Sequence, residues 1–393
     1  MNTPGRVLVV GAGLAGARCA ETLRALGFDG EVLLVGAESV PPYERPALSK
    51  EHLAGERDAS SLELRPRAFW EENGIELLLR CRVTAVDPAA QVVLTDTGEE
   101  LSWDALVLAT GASPLVLPGW GGPGVHTLRT LDDAGALRRD LHPGARVAIV
   151  GAGFVGTEVA STASSLGASV VLVDLTATPL ERVLGPEIGA LLAARYAEAG
   201  VDVCLGMGVE RLERGADGRP QALVLADGST VPAETVVLAV GVRPEAAGVA
   251  LAGRNGIPTD ACGRTGAPGI FAAGDVAEAW HPLLGRRLRV EHWTSAAGQG
   301  AAVAHAILGD ERPHAALPYF WSDQFGLRLQ YVGHAETWAT VEIEGDTGSL
   351  VARYRDDEGT TVAALAVNRP AAVGALRTEL TAAFAGRPRS LAA

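Results

Sequence analysis

The hydrophobic pattern of the chain opens on a short continuous run and then changes period. Arg6-Val7-Leu8-Val9-Val10 carries four apolar residues in a row, the pattern of a strand buried on both faces, and Ala17 to Leu26 follows with helical spacing. A second apolar run, Glu31-Val32-Leu33-Leu34-Val35, closes a βαβ unit. The same order returns 140 positions later, with Arg146-Val147-Ala148-Ile149-Val150, a helix-like stretch from Thr157 to Leu166, and Val170-Val171-Leu172-Val173. Shorter pieces follow each unit. After the first, Glu76-Leu77-Leu78-Leu79, Arg82 to Asp87, Gln91 to Leu94 and Glu100-Leu101 alternate like antiparallel strands, and Trp103 to Gly111 reads as a buried strand ending in a small-residue turn. After the second, Gly200 to Val203 and the turns at Ala216-Asp217-Gly218 and Ala226-Asp227-Gly228 mark short strands before another buried run, Glu234 to Gly241. A whole domain is therefore repeated.

The rest of the chain departs from the repeat. Gly269 to Asp275 is a strand ending in small residues and an aspartate, and a helix is predicted from Ser295 to Leu308. From Leu317 the pattern gives strands at Leu327 to Val332, Thr340 to Glu344, Leu350 to Tyr354 and Thr361 to Val367, then a helix from Ala371 to Ala385. The expected fold class is α/β, with two Rossmann-like dinucleotide-binding domains and a C-terminal α+β domain.

The strand-to-helix junctions of the two units carry the chemistry. Gly11-Ala12-Gly13-Leu14-Ala15-Gly16 and Gly151-Ala152-Gly153-Phe154-Val155-Gly156 both read G-x-G-x-x-G between a strand and a helix, which is the context the dinucleotide fingerprint requires. The glycines allow a tight turn and a close backbone approach, and the helix N-terminus then offers free N–H groups and a positive dipole end to a pyrophosphate. Glu38, 22 positions after Gly16, and Asp174, 18 positions after Gly156, stand where an acid accepts from an adenosine ribose. Leu175-Thr176-Ala177-Thr178 offers no Arg or Lys to a 2′-phosphate, so the second loop is expected to prefer NADH to NADPH.

Composition narrows the class. A chain of 393 residues holds two or three domains, and a net charge of −14 argues against nucleic acid or an anionic membrane surface as a general partner. Cys19, Cys81, Cys204 and Cys262 form no C-x-x-C and no metal-like cluster. No uncharged apolar stretch reaches transmembrane length, and the first apolar run, with its three glycines, reads as strand and loop rather than as a signal peptide. A cytoplasmic, reducing location is expected. All but one of the 33 basic residues are arginine; Lys50 is the single lysine, which suggests a place where a guanidinium does not fit. It ends a stiff, proline-rich segment, Pro41 to Lys50.

These motifs together resemble the NADH-dependent ferredoxin reductases of bacterial oxygenase systems, the putidaredoxin reductase-like and rubredoxin reductase-like flavoproteins, and more widely the pyridine nucleotide–disulfide oxidoreductases. The resemblance spans nearly the whole chain. It rests on both glycine loops with Glu158, on Pro42-Tyr43-Glu44-Arg45-Pro46-x-Leu48-Ser49-Lys50, Leu64-Arg65-Pro66, Ala109-Thr110-Gly111, Gly241-Val242-Arg243-Pro244, Ala273-Gly274-Asp275, Glu291-His292-Trp293 and Phe320-Trp321-Ser322-Asp323-Gln324. It implies FAD on the first loop and NADH on the second. It also implies a discontinuous FAD domain, 1–113 and 242–316, around an NADH domain, 114–241, with the C-terminal domain at 317–393. Asp275 would meet the ribityl chain, the helix after Trp293 would point its N-terminus at the pyrimidine edge, and Lys50 would lie near N5. Arg45, Val83 and Arg129 match flavin contacts, and Glu158 matches a residue that orients the nicotinamide amide; Lys50 and Glu158 are the expected catalytic pair. His292 is expected to have a structural or flavin-edge role rather than to act as an acid.

The sequence also departs from the family pattern. Ala47 replaces a common proline, Leu115 replaces an arginine often found after the A-T-G turn, and the helix from Ser295 is nearly uncharged where relatives place basic residues. Related disulfide reductases carry a C-x₄-C pair, and coenzyme A disulfide reductases and NADH peroxidases a reactive cysteine, yet Glu38 to Lys50 holds no thiol. Electrons are thus expected to leave through the flavin edge to an iron–sulfur ferredoxin, and from it to a cytochrome P450 or other oxygenase. Trp293 and Trp321 could wall the flavin or pack a domain interface. Arg65 with Arg67, Arg80 with Arg82, and Arg286, Arg287 and Arg289 are candidate docking clusters on a chain that is monomer or dimer, and the third is taken to contribute to docking. An NADH oxidase, a nitrite-reductase-type flavoprotein subunit and a non-catalytic NADH-sensing flavoprotein remain as alternatives.

Overall fold

The structure is a computed structural model that describes residues 4–246, 248 and 250–386. Its first sheet is fully parallel, in the order Ile270–Ala272, Ala105–Leu108, Arg6–Val10, Glu31–Gly36, Ile75–Leu79. The central run is buried on both faces, as its unbroken apolar pattern requires. Val7 and Val9 face the helices Leu14–Ala25 and Trp293–Ile307, whereas Leu8 and Val10 face a three-stranded antiparallel sheet, Val83–Asp87, Val92–Thr95 and Glu100–Ser102. Ile75–Leu79 is a correction to the sequence reading. It belongs to the parallel sheet beside Glu31–Gly36, not to the antiparallel set that follows it. An edge strand is half exposed, so its alternation looks the same whichever way it pairs.

The second sheet repeats the plan in the order Asp202–Leu205, Ser169–Asp174, Arg146–Val150, Thr235–Leu238, Val125–His126. Its own antiparallel companion is Val209–Arg214, Pro220–Leu225 and Thr230–Pro232. Periodicity does not reveal two helices of this half. Leu131–Asp140 starts at a capping box, in which Thr130 Oγ1 accepts from Asp133 N and the Asp133 carboxylate accepts from Thr130 N. Glu181–Glu198 is broken at Gly185, whose φ of 79° precedes Pro186, so no single helical stripe runs along it. A short antiparallel ribbon, Ala112–Pro114 against Val242–Pro244, joins the halves.

The last sheet is antiparallel, in the order Tyr319–Gln324, Leu327–Gly333, Thr361–Val367, Ser349–Arg355, Thr340–Asp346, with the helix Ala372–Ala385 against it. Its first strand alternates strictly: Phe320, Ser322 and Gln324 are buried and Tyr319, Trp321 and Asp323 are half-exposed. The near absence of charge on Trp293–Ile307 also finds its reason here. Gly300 packs so close to the first helix that a Cβ on it would lie 2.2 Å from the Ala15 carbonyl oxygen. Among the described residues no helix is long and apolar enough to cross a membrane.

Candidate functional site

One cavity opens at the carboxyl ends of the first sheet and receives residues from that sheet, from the helix Phe154–Ser165 that packs beside the second sheet, and from the strand Tyr319–Gln324 of the last. Gly11, Gly13 and Ala15 line it from the first glycine loop. Gly11 takes φ 115°, and a Cβ there would lie 2.1 Å from the Ala109 carbonyl oxygen, so only glycine fits. Gly16 does not line the cavity; it lets the helix cross close over the strand, since a Cβ on it would meet the Gly11 carbonyl oxygen at 2.1 Å.

At one end of the cavity the Glu38 carboxylate accepts from the Tyr43 hydroxyl and from Arg45 Nη2, each at 2.6 Å, with Cys81, Arg82 and Val83 nearby on the wall. Burial pushes the Cys81 thiol up, with Asp96 and Glu99 adding to the shift, so no activated thiolate stands here. The deeply buried Cys19 thiol is raised to about 12 for the same reason. In the middle, Arg45 Nη1 donates to the Arg129 carbonyl oxygen and the Arg129 guanidinium pairs with Asp275 at 2.8 Å. Ala109, Thr110, Gly111 and Gly274 supply small residues around this pair.

The far end brings together the two residues expected to act in catalysis. Lys50 Nζ lies 2.7 Å from Glu158 Oε2 and 3.0 Å from the Pro46 carbonyl oxygen, and both side chains are nearly buried. Ser49 Oγ also donates to Oε2, and Ser322 Oγ donates to Oε1 at 2.7 Å. Glu291, His292 and Trp293 stand at the N-terminus of the helix Trp293–Ile307, with His292 as its N-cap. Burial raises the Glu291 carboxyl above its usual range against the pull of Arg289. Burial lowers His292 to about 4, so its ring is neutral near pH 7. Trp293 and Trp321 both line the cavity and meet edge to face at 6.2 Å, so they pack an interface and wall the cavity at once.

The second glycine loop contributes differently. Phe154, Val155 and Glu158, on the helix that follows it, line the cavity, whereas Gly151, Gly153, Gly156, Asp174 and Gly241 do not. Gly156 repeats the packing role of Gly16, as a Cβ there would lie 1.9 Å from the Gly151 carbonyl oxygen. Asp174 Oδ2 accepts from Ala152 N at 2.6 Å and so ties its strand to the loop. Sequence reasoning misses Ser49, Ser322 and Glu245 as site residues. Ser49 and Ser322 sit inside motifs that flank named residues, and Glu245 follows the Gly241-to-Pro244 motif, which is the signal that could have found them. The arginine clusters separate as well. Arg286 pairs with Glu336 and Arg289 with Glu291, whereas the exposed Arg287 donates to the neutral Thr259 carbonyl oxygen and keeps its positive charge at the surface.

Two observations test whether the cavity suits a flavin dinucleotide. Its wall holds three helix N-termini, at Leu14, Phe154 and Trp293, and a glycine cradle that a side chain would fill. The buried Nδ1 of His292 has no partner among the described residues, which leaves a polar atom for a polar ring to satisfy. The residues fit such a group.

Two parallel nucleotide-type sheets, a shared cavity and a third antiparallel domain define the class of two-domain dinucleotide oxidoreductases. The comparisons agree. The family model for pyridine nucleotide-disulphide oxidoreductases matches residues 5–300 and that for the reductase C-terminal domain matches 319–393. The chain is 40% identical to the 5,5'-dehydrodivanillate O-demethylase ferredoxin reductase subunit of Sphingobium sp., over 92% of this chain and 90% of that protein. It is 38% identical to the ferredoxin–NAD(+) reductase component of the p-cumate 2,3-dioxygenase system of Pseudomonas putida, over 93% and 90%. The crystal structure of the covalent putidaredoxin reductase–putidaredoxin complex matches with a TM-score of 0.93 at 35% identity, covering 97% of this chain and 94% of that one. The chain belongs to the pyridine nucleotide-disulphide oxidoreductase family, among its ferredoxin reductases.

Proposed function

We propose that this chain binds FAD on 1–113 and 242–316, takes NADH on 114–241, and delivers electrons one at a time to an iron–sulfur ferredoxin serving a cytochrome P450 or other oxygenase. When bound, FAD supplies the exchange between a hydride and single electrons. The observation that carries the reading is the meeting of Lys50, from the first nucleotide domain, with Glu158, from the helix after the second glycine loop, inside one cavity. The protein's part is to bring the two nucleotides together and to shape the field between them.

The residues divide that work. The helix N-termini at Leu14 and Trp293 favour negative charge at a pyrophosphate and at a ring edge. The Lys50 ammonium holds positive charge where two residues' oxygens already fix it. Phe154 and Phe320, whose rings meet at 4.4 Å, and the two tryptophans make an apolar wall that excludes water. No thiol within the cavity is activated, which supports electron exit without a disulfide relay.

Stopped-flow reduction by NADH and by NADPH, followed by reoxidation with a two-iron ferredoxin, tests the reading. Fast bleaching with NADH, slower bleaching with NADPH, and recovery of oxidised flavin on adding ferredoxin are expected. Rapid recovery with oxygen alone would favour an oxidase instead.

A further inference from the structure

The strand Tyr319–Gln324 comes from the C-terminal domain, which holds neither glycine loop, yet its buried face reaches the centre of the site. Successive inward residues each meet the second nucleotide domain. Phe320 packs on Phe154, Ser322 donates to Glu158 Oε1, and Gln324 accepts from the Tyr196 hydroxyl. Just beyond, Phe325 N donates to Ser161 Oγ at 2.7 Å.

The hydrogen bonds along this face run in one direction. Tyr196 is fully buried, and burial pushes its phenol up, so it stays a donor. It donates to Gln324 Oε1, Gln324 Nε2 donates to Ser322 Oγ at 3.0 Å, and the single Ser322 proton is thereby directed to Glu158 Oε1 at 2.7 Å. A carboxylate offers about four acceptor positions. On Glu158, among the described residues, Oε2 accepts from Ser49 and from Lys50, and Oε1 accepts from Ser322 alone. The position left for an incoming donor is therefore on Oε1, beside the Ser322 hydroxyl.

We propose that Ser322, oriented by Gln324 and Tyr196, is a positioning residue that aims the open lone pair of Glu158 Oε1 at the carboxamide N–H of the nicotinamide. This rests on the reading that Glu158 faces the nicotinamide. It makes the C-terminal domain a determinant of nucleotide recognition, through a chain of donors that begins on the helix Glu181–Glu198.

The test measures binding at equilibrium, on the flavin-loaded protein. NAD⁺ and its 3-acetylpyridine analogue, which carries a methyl in place of the carboxamide NH₂, are titrated against wild type, Ser322→Ala and Ser322→Thr. Wild type is expected to prefer NAD⁺. Ser322→Ala should shrink that preference about tenfold, the scale of one hydrogen bond to a charged group, and Ser322→Thr should restore it. Equal binding of both ligands by wild type would sink the underlying reading of Glu158. A wild-type preference kept unchanged in Ser322→Ala, with both affinities falling together, would leave that reading intact and overturn the role given to Ser322. Should Ser322→Ala not fold, Tyr196→Phe reads the same ratio from the far end of the chain, with a reduced preference expected and an unchanged one refuting the proposal.

Discussion

Lys50 is the only lysine in a chain that otherwise uses arginine for every basic position, and its surroundings give the reason. Its ammonium sits between Glu158 Oε2 and the Pro46 carbonyl oxygen, with 11% of the side chain exposed against 7% for Glu158. A planar guanidinium needs a wider set of acceptors than this narrow slot presents. Lys50→Met should leave the Glu158 charge buried with only its two serine donors, at a cost of about 3 kcal/mol in stability. Thermal unfolding of the apoprotein measures it, and a midpoint equal to wild type would show that the pair contributes nothing. Glu38 and Arg45 form an equally close but more exposed pair, at 28% and 29% exposure, where water shares the charge and a smaller effect follows.

Elements show best how close packing serves the site. The helices Leu14–Ala25 and Trp293–Ile307 lie against each other at Gly300, and both point their N-termini into the cavity. Gly300→Ala would drive a methyl into the Ala15 carbonyl and force the helices apart, costing on the order of 2 kcal/mol. Flavin content per purified chain should fall with the thermal midpoint, and full occupancy at an unchanged midpoint would contradict the packing argument. Most elements that frame the cavity are legible in the sequence because continuous apolar strands and glycine loops are strong local signals. The helix Glu181–Glu198 is not, because Gly185 and Pro186 interrupt its stripe, and Leu131–Asp140 is not, because its signal lies in a four-residue cap. The strand Tyr319–Gln324 escapes the hydrophobic pattern for a different reason. Its buried face carries Ser322 and Gln324, whose burial is offset by hydrogen bonds to another domain that periodicity cannot reveal. The site's glycines and Lys50 are readable from local signals, whereas the motif around Ser322 marks its neighbourhood and only the fold shows that its hydroxyl donates to Glu158.

At the scale of the whole molecule, two copies of one domain face a shared cavity, and the question is which nucleotide each copy holds. The two glycine loops give a clean way to separate them. Gly13 and Gly153 both have ordinary negative φ, −89° and −80°, and a Cβ on either would meet nothing within 4 Å. Alanine at these positions should therefore leave the fold and its stability nearly intact. Each methyl would stand where a pyrophosphate must approach the helix N-terminus closely. Gly13→Ala is expected to yield a folded protein that retains little FAD. Gly153→Ala should retain FAD, keep its thermal midpoint, and weaken NADH reduction by roughly tenfold or more in kcat/KM, a loss near 1.4 kcal/mol. Gly11→Ala and Gly151→Ala serve as contrasts. Their left-handed backbones, and the carbonyl oxygens of Ala109 and Ala239 at 2.1 and 2.3 Å from an added methyl, should destabilise each domain directly. If Gly13→Ala kept its FAD while Gly153→Ala lost it, the assignment of the two nucleotides to the two domains would have to be exchanged.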